Sequence, residues 1–387
     1  MAAFIFFLAL FTLMASTPPA DAAETSAAAL LKTVDQSGKG DYEKIQDAID
    51  AVPSNNKEVV FILVKPGVYE EKIVVPADKP FITISGSKAN NTIITSSDSG
   101  NIIKSATVTL LSSDFVGRYL TIQNTFRKHG VQAVALRVSS DRVAFIGCRI
   151  LGYQDTLLDE TGRHYYYNCY IEGAVDFICG NAASLFEVTF QEPGMAHKYT
   201  SKEDRRWSGV SEANINCPYK KNLVVGLRIM WVGGAGRSPA RCHLHTVYEE
   251  FSAITAQRRQ SPSEETGFTF PGSKITGERT AILGRPWGSY SRVVFALTYI
   301  SNVILPRGWD DWGDASMQST MFYDEYKCYG PGANTSQRVE WSQKLAPKEV
   351  ELFLSKSILE AKSWIKPTPK HFKKPFLAIS NNSTEHP

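Results

Sequence analysis

Three segments of the chain restate one another. "AFIGCRILG" (144–152), "YYYNCYIEG" (165–173) and "FTFPGSKITG" (268–277) each run from an aromatic residue through Cys or Ser to Ile and then Gly, and the first two lie 21 residues apart. A unit near twenty residues cannot bury its own apolar face, so it must stack against the next, which is the logic of a solenoid. The runs around these segments are short, β-branched and cut by Gly, Asn and Ser, as in "PFITISGS", "NTIITSS" and "ATVTLLSSDFVGRYLTIQNTF", and they lack the two-residue turns of hairpins. The expected fold is therefore all-β, a right-handed parallel β-helix whose stacked strands share one continuous inner face. The open end of such a stack needs cover. In "GDYEKIQDAIDAVPSN", Ile45, Ala48, Ile49 and Val52 recur at helical spacing, Asp41 stands where a cap would start the helix and Pro53 ends it. This predicts a short N-terminal capping helix.

The length of 387 residues, 43% of them hydrophobic and 21% charged, allows one large repetitive core. The chain opens on "MAAFIFFLALFTLMASTPPADA", an apolar stretch followed by the small-x-small triplet Ala20-Asp21-Ala22, which reads as a signal peptide over 1–22 that is too short to span a bilayer. A secreted protein follows from this reading, without a membrane anchor. A linker over 23–33 leads to a β-helix domain over 34–365, and "KPTPKHFKKPFLAISNNSTEHP" (366–387) reads as a basic, mobile tail. The formal charge is +3, and removing Asp21 with the leader makes it +4, a weak bias towards acidic polymers. Six cysteines are too few for a disulfide scaffold. Cys148 and Cys169 align on successive coils, where stacking of small buried side chains is favoured over a bond. Sequons at Asn90, Asn334, Asn381 and Asn382 are usable on a secretory route, as in a glycoprotein.

One segment breaks the period. Between "SLFE" (184–187) and "CHLH" (242–245) lie 54 residues, 188–241, with neither β-period nor coil motif, and their removal would bring Cys242 to 19 residues after Cys169, close to one coil. They read as an insertion, atypical for a compact domain. The Val and Arg at its two ends are compatible with a GT…AG boundary, and retained intron sequence is our hypothesis for it. A transcript joining Glu187 to a residue beside Cys242 supports this, and cDNA that always carries all 54 codons refutes it.

Several polar residues of catalytic type interrupt the solenoid pattern: Gln132, Gln154, Asp155, Asp176 and Arg285. Asp155 and Asp176 are 21 residues apart, one coil, and so belong to neighbouring rungs of one face. Two carboxylates that close do not both ionise readily; one held charged by an Arg and one kept protonated by burial would separate a nucleophile from an acid. Glutamine amides beside them offer donors to a developing oxyanion. The structural alternative is that Asp and Gln merely end strands and satisfy turn backbones, with Arg285 an ordinary cation and Trp287 an ordinary core ring. His243 and His245 alternate on one strand face with no evident third ligand for a metal. No G-x-S-x-G elbow and no Walker loop is present, which removes the serine-esterase and nucleotide-binding readings and leaves no nucleic-acid signal.

"GVYEEKI" (67–73), "QAVALRV", "GYQDTLL", "VDFICGNA" and "LGRPWGSYSRVVF" occur in the order, and apart from the insertion roughly the spacing, of the plant pectin methylesterases (pectinesterases), a resemblance that runs from about Val34 to about Trp364. The resemblance implies a parallel β-helix that removes methyl esters from the galacturonate of cell-wall pectin, releasing methanol, without metal or cofactor. It further implies a secreted monomer in the cell wall, whose partners are methylated homogalacturonan and proteinaceous pectinesterase inhibitors, not nucleic acid or membrane. Carried over by motif, Asp176 resembles the nucleophile, Asp155 the acid and then base, Gln132 and Gln154 the oxyanion donors, and Arg285 the partner that keeps Asp176 ionised. Trp287, with Gln132 and Arg285, resembles a substrate-binding residue. The chain resembles the form without the N-terminal inhibitor-like pro-region. It departs from the family at Cys179, where an aromatic is usual, and at Leu158, where Tyr is frequent. Two rival functions remain at this level, a pectin-binding protein inactivated by the insertion and a β-helical glycosidase using the two carboxylates.

Overall fold

The computed structural model describes residues 29–187, 242–247, 252–354, 359–365, 368–369 and 371–373. The segment read as a signal peptide, the insertion over 188–241 and most of the tail lie outside the described residues.

The strands assemble into three parallel sheets of eleven, eight and seven strands, here the first, second and third, and from Val60–Val64 to Tyr299–Ile300 the chain visits them in that order. One coil illustrates the path: Val143–Ile146 in the first sheet, Arg149–Leu151 in the second, Leu157–Thr161 in the third, then Arg163–Tyr167 back in the first. This is the right-handed parallel β-helix that the sequence predicts. The registers match the repeats, because Arg149 pairs with Tyr170, Tyr170 with His243 and His243 with Lys274, so that Cys148, Cys169, Cys242 and Ser273 occupy the same place on four coils. The described cysteines are free thiols, and Cys148, Cys169 and Cys242 stack, each turned to a backbone carbonyl at 3.3–3.6 Å.

Inside the first sheet the aromatic position of each repeat builds a column. Phe145, Tyr166, Phe186, Phe270 and Phe295 are buried and follow one another at ring separations of 5.7, 4.6, 4.5 and 4.5 Å. Stacked rings at this spacing add to the burial of their area and fix the coil-to-coil register. One buried group of polar side chains interrupts the apolar interior. His164 places Nε2 at 2.7 Å from the Ser140 carbonyl and Nδ1 at 2.6 Å from the Asp159 carboxylate, which also accepts from the hydroxyls of Tyr166 and Ser184. A carbonyl and a carboxylate can only accept, so both ring nitrogens donate and the imidazole is a buried cation. Burial opposes that charge, but the attraction and hydrogen bond of Asp159 and the Ser140 carbonyl outweigh it and raise the His164 pKa.

The capping helix is present at Ile45–Asp50, with Ile45, Ala48 and Ile49 buried. Its cap differs from the expected one. Asp41 instead accepts from the amide and hydroxyl of Thr33, and the orphan amides of Ile45 and Gln46 donate to the carboxylate of Glu71 at 3.1 Å each. A carboxylate from the neighbouring coil does the work of a local cap because the helix lies flat on the end of the stack. Within the segment read as a mobile tail, Phe372–Lys373 pairs in parallel with Ala29–Val34, and Phe372 meets Phe61 edge-on at 5.0 Å.

The turn from first to second sheet is a single residue in the left-handed region: Tyr119 (φ 51°), Gly147 (φ 62°), Asn168 (φ 51°), Gly272 (φ 65°) and Leu297 (φ 53°). In the coil that ends its first-sheet strand at Glu187 and resumes at Cys242, residues 188–241 stand where the neighbouring coils have this one residue.

Candidate active site

The third sheet carries the site. Leu157 pairs with Ile178, so Asp155 and Asp176, each two residues before its strand partner, hold equivalent places on adjacent coils. Both sit in the left-handed region, at φ 58° and 48°, a conformation that Asp tolerates better than most residues because its side chain is short and polar. The Asp155 amide donates to the Val175 carbonyl at 3.1 Å, which locks the bend between second and third sheets. Both residues are nearly buried, at 6% and 5% exposure.

Arg285 reaches them from two coils further on. Along one row of the sheet Leu158 pairs with Cys179, Cys179 with Ala256 and Ala256 with Arg285. The small Ala256 leaves the guanidinium a path back, and Nε and Nη2 of Arg285 donate to the two oxygens of Asp176 at 2.8 and 2.6 Å. Such a fork is the strongest arrangement by which a protein holds a carboxylate charged. Burial pushes the Asp155 carboxyl up to about 8, aided by the charge of Asp176 and opposed by Arg285. Burial also raises the Asp176 carboxyl above its ordinary value, with the hydrogen bonds and charge of Arg285 offsetting part of the rise. The two neighbouring acids therefore differ in proton affinity: Asp176, held in the fork, ionises first, and Asp155 keeps its proton at neutral pH.

Gln132 and Gln154 lie half-buried at the same bend on adjacent coils, tied through the Ala133 amide to the Gln154 carbonyl at 3.2 Å. The side-chain oxygen of Gln154 is buried and has no hydrogen-bond partner among the described residues. Trp287 packs on a small apolar cluster of Ala106, Val134, Leu158, Cys179 and Ala256, in which Leu158 and Cys179 pair on the adjacent coils that carry the two acids. Arg258 stands over the Trp287 ring at 5.0 Å from its centroid. Sequence reasoning missed Arg258, and also Trp312, whose ring lies 3.9 Å from the Arg285 guanidinium; neither belongs to a quoted motif or to the coil period. His243 and His245 stand on the second sheet, away from this face, and share the Thr276 hydroxyl at 2.7 Å each.

A buried carboxylate gripped by a guanidinium, beside a second carboxyl raised to about 8, is an arrangement that can supply a nucleophile and an acid side by side on a parallel β-helix. The pectinesterase family model matches residues 32–205 and 240–362, and the unmatched stretch falls inside the segment read as an insertion. Putative pectinesterase 11 of Arabidopsis thaliana is 48% identical over 347 residues, 89% of this chain and 83% of that protein. Pectinesterase QRT1 of the same plant is 34% identical, covering 86% and 78%. Among solved structures, the pectin methylesterase from carrot superposes with a TM-score of 0.71 at 31% identity, covering 89% of this chain and 98% of that one. That from Aspergillus niger gives 0.65 at 27%, covering 87% and 95%. The chain belongs to the pectinesterase family.

Proposed function

We propose that the protein removes methyl esters from cell-wall homogalacturonan with Asp176 as nucleophile and Asp155 as acid and base. The Arg285 fork on Asp176, next to a carboxyl raised to about 8, is the observation that carries this reading. Ionised Asp176 attacks the ester carbonyl, and the amides of Gln132 and Gln154 donate to the oxyanion of the tetrahedral intermediate. The intermediate collapses as Asp155 gives its proton to the departing methoxide, which leaves as methanol. Asp155, now ionised, takes a proton from water, whose hydroxide attacks the acyl-enzyme and frees galacturonate and Asp176. The proton taken from water restores Asp155, the product acid loses its own proton to solvent, and the cycle balances. Trp287, Gln132 and Arg285 line the approach of the sugar.

The second reading, a binding protein inactivated by the insertion, is disfavoured by where the chain departs. The described residues on either side, Glu187 and Cys242, lie at the bend between first and second sheets, the corner of the three-sided coil that does not border the third sheet. Secretion to the cell wall, action as a monomer and recognition by proteinaceous inhibitors form part of the proposal, and among the described residues no helix is long and apolar enough to cross a membrane. The test is methylated pectin incubated with the purified protein. Methanol without new reducing ends is expected; new reducing ends select a glycosidase, and binding with neither product refutes the esterase.

A further inference from the structure

Trp312 is an exposed tryptophan in a conformation that tryptophan avoids. It is 43% exposed and sits at φ 57°, where a bulky side chain crowds its own backbone. The loop is fastened to hold it there. Its root, Trp309, is fully buried, stacks on Tyr323 at 4.5 Å and bridges in parallel to Gly284, the residue before Arg285. The Leu283 amide donates to Gly308 at 2.7 Å and the Asp310 amide to Gly284 at 3.2 Å, so the loop is strapped to the strand that carries the arginine. Asp310 then accepts from the Trp312 amide at 2.8 Å, and Asp311 accepts from the Gly313 amide at 2.9 Å and from Gln318 at 2.8 Å. The result of this bracing is one contact: the indole lies against the Arg285 guanidinium, 3.9 Å from ring centroid to Cζ, while two guanidinium nitrogens grip Asp176.

We propose that Trp312 is a positioning residue for the esterase reaction: its ring presses the Arg285 guanidinium into the plane in which it forks Asp176, and keeps water off that face of the ion pair. A guanidinium on a flexible stem loses its in-plane fork readily, and a stacked ring fixes the plane without competing for its hydrogen-bond donors. The strain at φ 57° persists because the strapped loop over-determines it, which is the usual signature of a functional constraint. This rests on the roles given above to Asp176 and Arg285.

The experiment measures methanol release against pH, and thermal unfolding, for wild type, Trp312→Phe, Trp312→Ala, Trp312→Gly and Asp176→Asn. Loss of a stacked cation contact is expected to lower kcat about two- to thirty-fold in the Ala and Gly variants, with KM little changed. The acid limb of the profile should move to higher pH, because a loosened guanidinium holds Asp176 ionised less well. Phe should restore most of the activity. Gly accepts φ 57° better than Ala and should melt higher, yet the two should lose the same activity, which separates the ring's role from fold stability. A rise in KM alone would make Trp312 a sugar platform and overturn the proposal, as would wild-type kinetics or activity that follows melting temperature. If Asp176→Asn itself stays fully active, the reading of the site fails, and that result is distinguishable from a silent Trp312.

Discussion

Replacing Arg285 by glutamine removes the fork that keeps Asp176 charged. In the structure that fork consists of two hydrogen bonds, at 2.8 and 2.6 Å, to a side chain 7% exposed. An opposite charge in contact favours the ionised carboxyl, so without it burial acts unopposed and the Asp176 pKa rises further. Below the new pKa the ionised fraction of the nucleophile falls about tenfold per unit, and kcat/KM on the acid side should drop about 10- to 1000-fold. Asp155 also loses the attraction of Arg285, so the alkaline limb, near pH 8 in the parent, should move upwards too. Breaking a buried pair costs about 3–5 kcal/mol of stability, most fully above the new pKa and less below it, where Asp176 takes up a proton. Methanol release across the pH range, for wild type, Arg285→Gln and Arg285→Lys, reads both limbs, and lysine should restore part of the shift because it supplies charge without the fork. Limbs that stay in place while only the amplitude changes would refute this electrostatic reasoning.

Two further outcomes test other parts of the account. Replacing residues 188–241 by a single Asn or Gly, residues that take the left-handed turn at Asn168 and Gly147, should give a soluble protein with unchanged or higher melting temperature and retained esterase activity; failure to fold would show that the segment supplies part of the core. The buried His164 has a raised pKa, so its pairing with Asp159 contributes stability in full below the ordinary histidine pKa and loses it as pH rises through the folded value. Urea unfolding at several pH values should show that alkaline loss in wild type, and His164→Gln should lack it and be weaker in acid by about 3–5 kcal/mol. Parallel pH curves for the two proteins would sink the assignment.

The coil was readable because period and chemistry coincide: an aromatic, a small residue and an Ile recur where the sheet needs them. The two acids were also readable, since their spacing of 21 residues is that of the coil itself, as the pairing of Leu157 with Ile178 bears out. Spacing could not pair Arg285 with Asp176, from which it is 109 residues away and which it meets by reaching over Ala256; only resemblance to a family joined the two. The helix cap was missed for a similar reason, because Glu71 lies 26 residues beyond the amide it serves. His164 reads as one more ring in "RHYYY", and nothing local reveals that both its nitrogens face acceptors. Trp312 shows no periodic signal, and its meaning depends on a backbone angle.

The division of labour between the two acids is tested most directly by changing the leaving group. Asp155→Asn and Asp176→Asn, each checked for an intact fold, are compared on a methyl galacturonate ester and on the corresponding nitrophenyl ester, whose leaving group departs without a proton. The account predicts that Asp155→Asn loses about 10²–10⁴-fold on the methyl ester but releases a rapid burst of nitrophenol from the nitrophenyl ester before slow turnover, because acylation no longer needs the acid while deacylation still lacks its base, whereas Asp176→Asn shows neither burst nor turnover. Equal behaviour of the two variants on both esters, or activity that survives in Asp176→Asn, would contradict it.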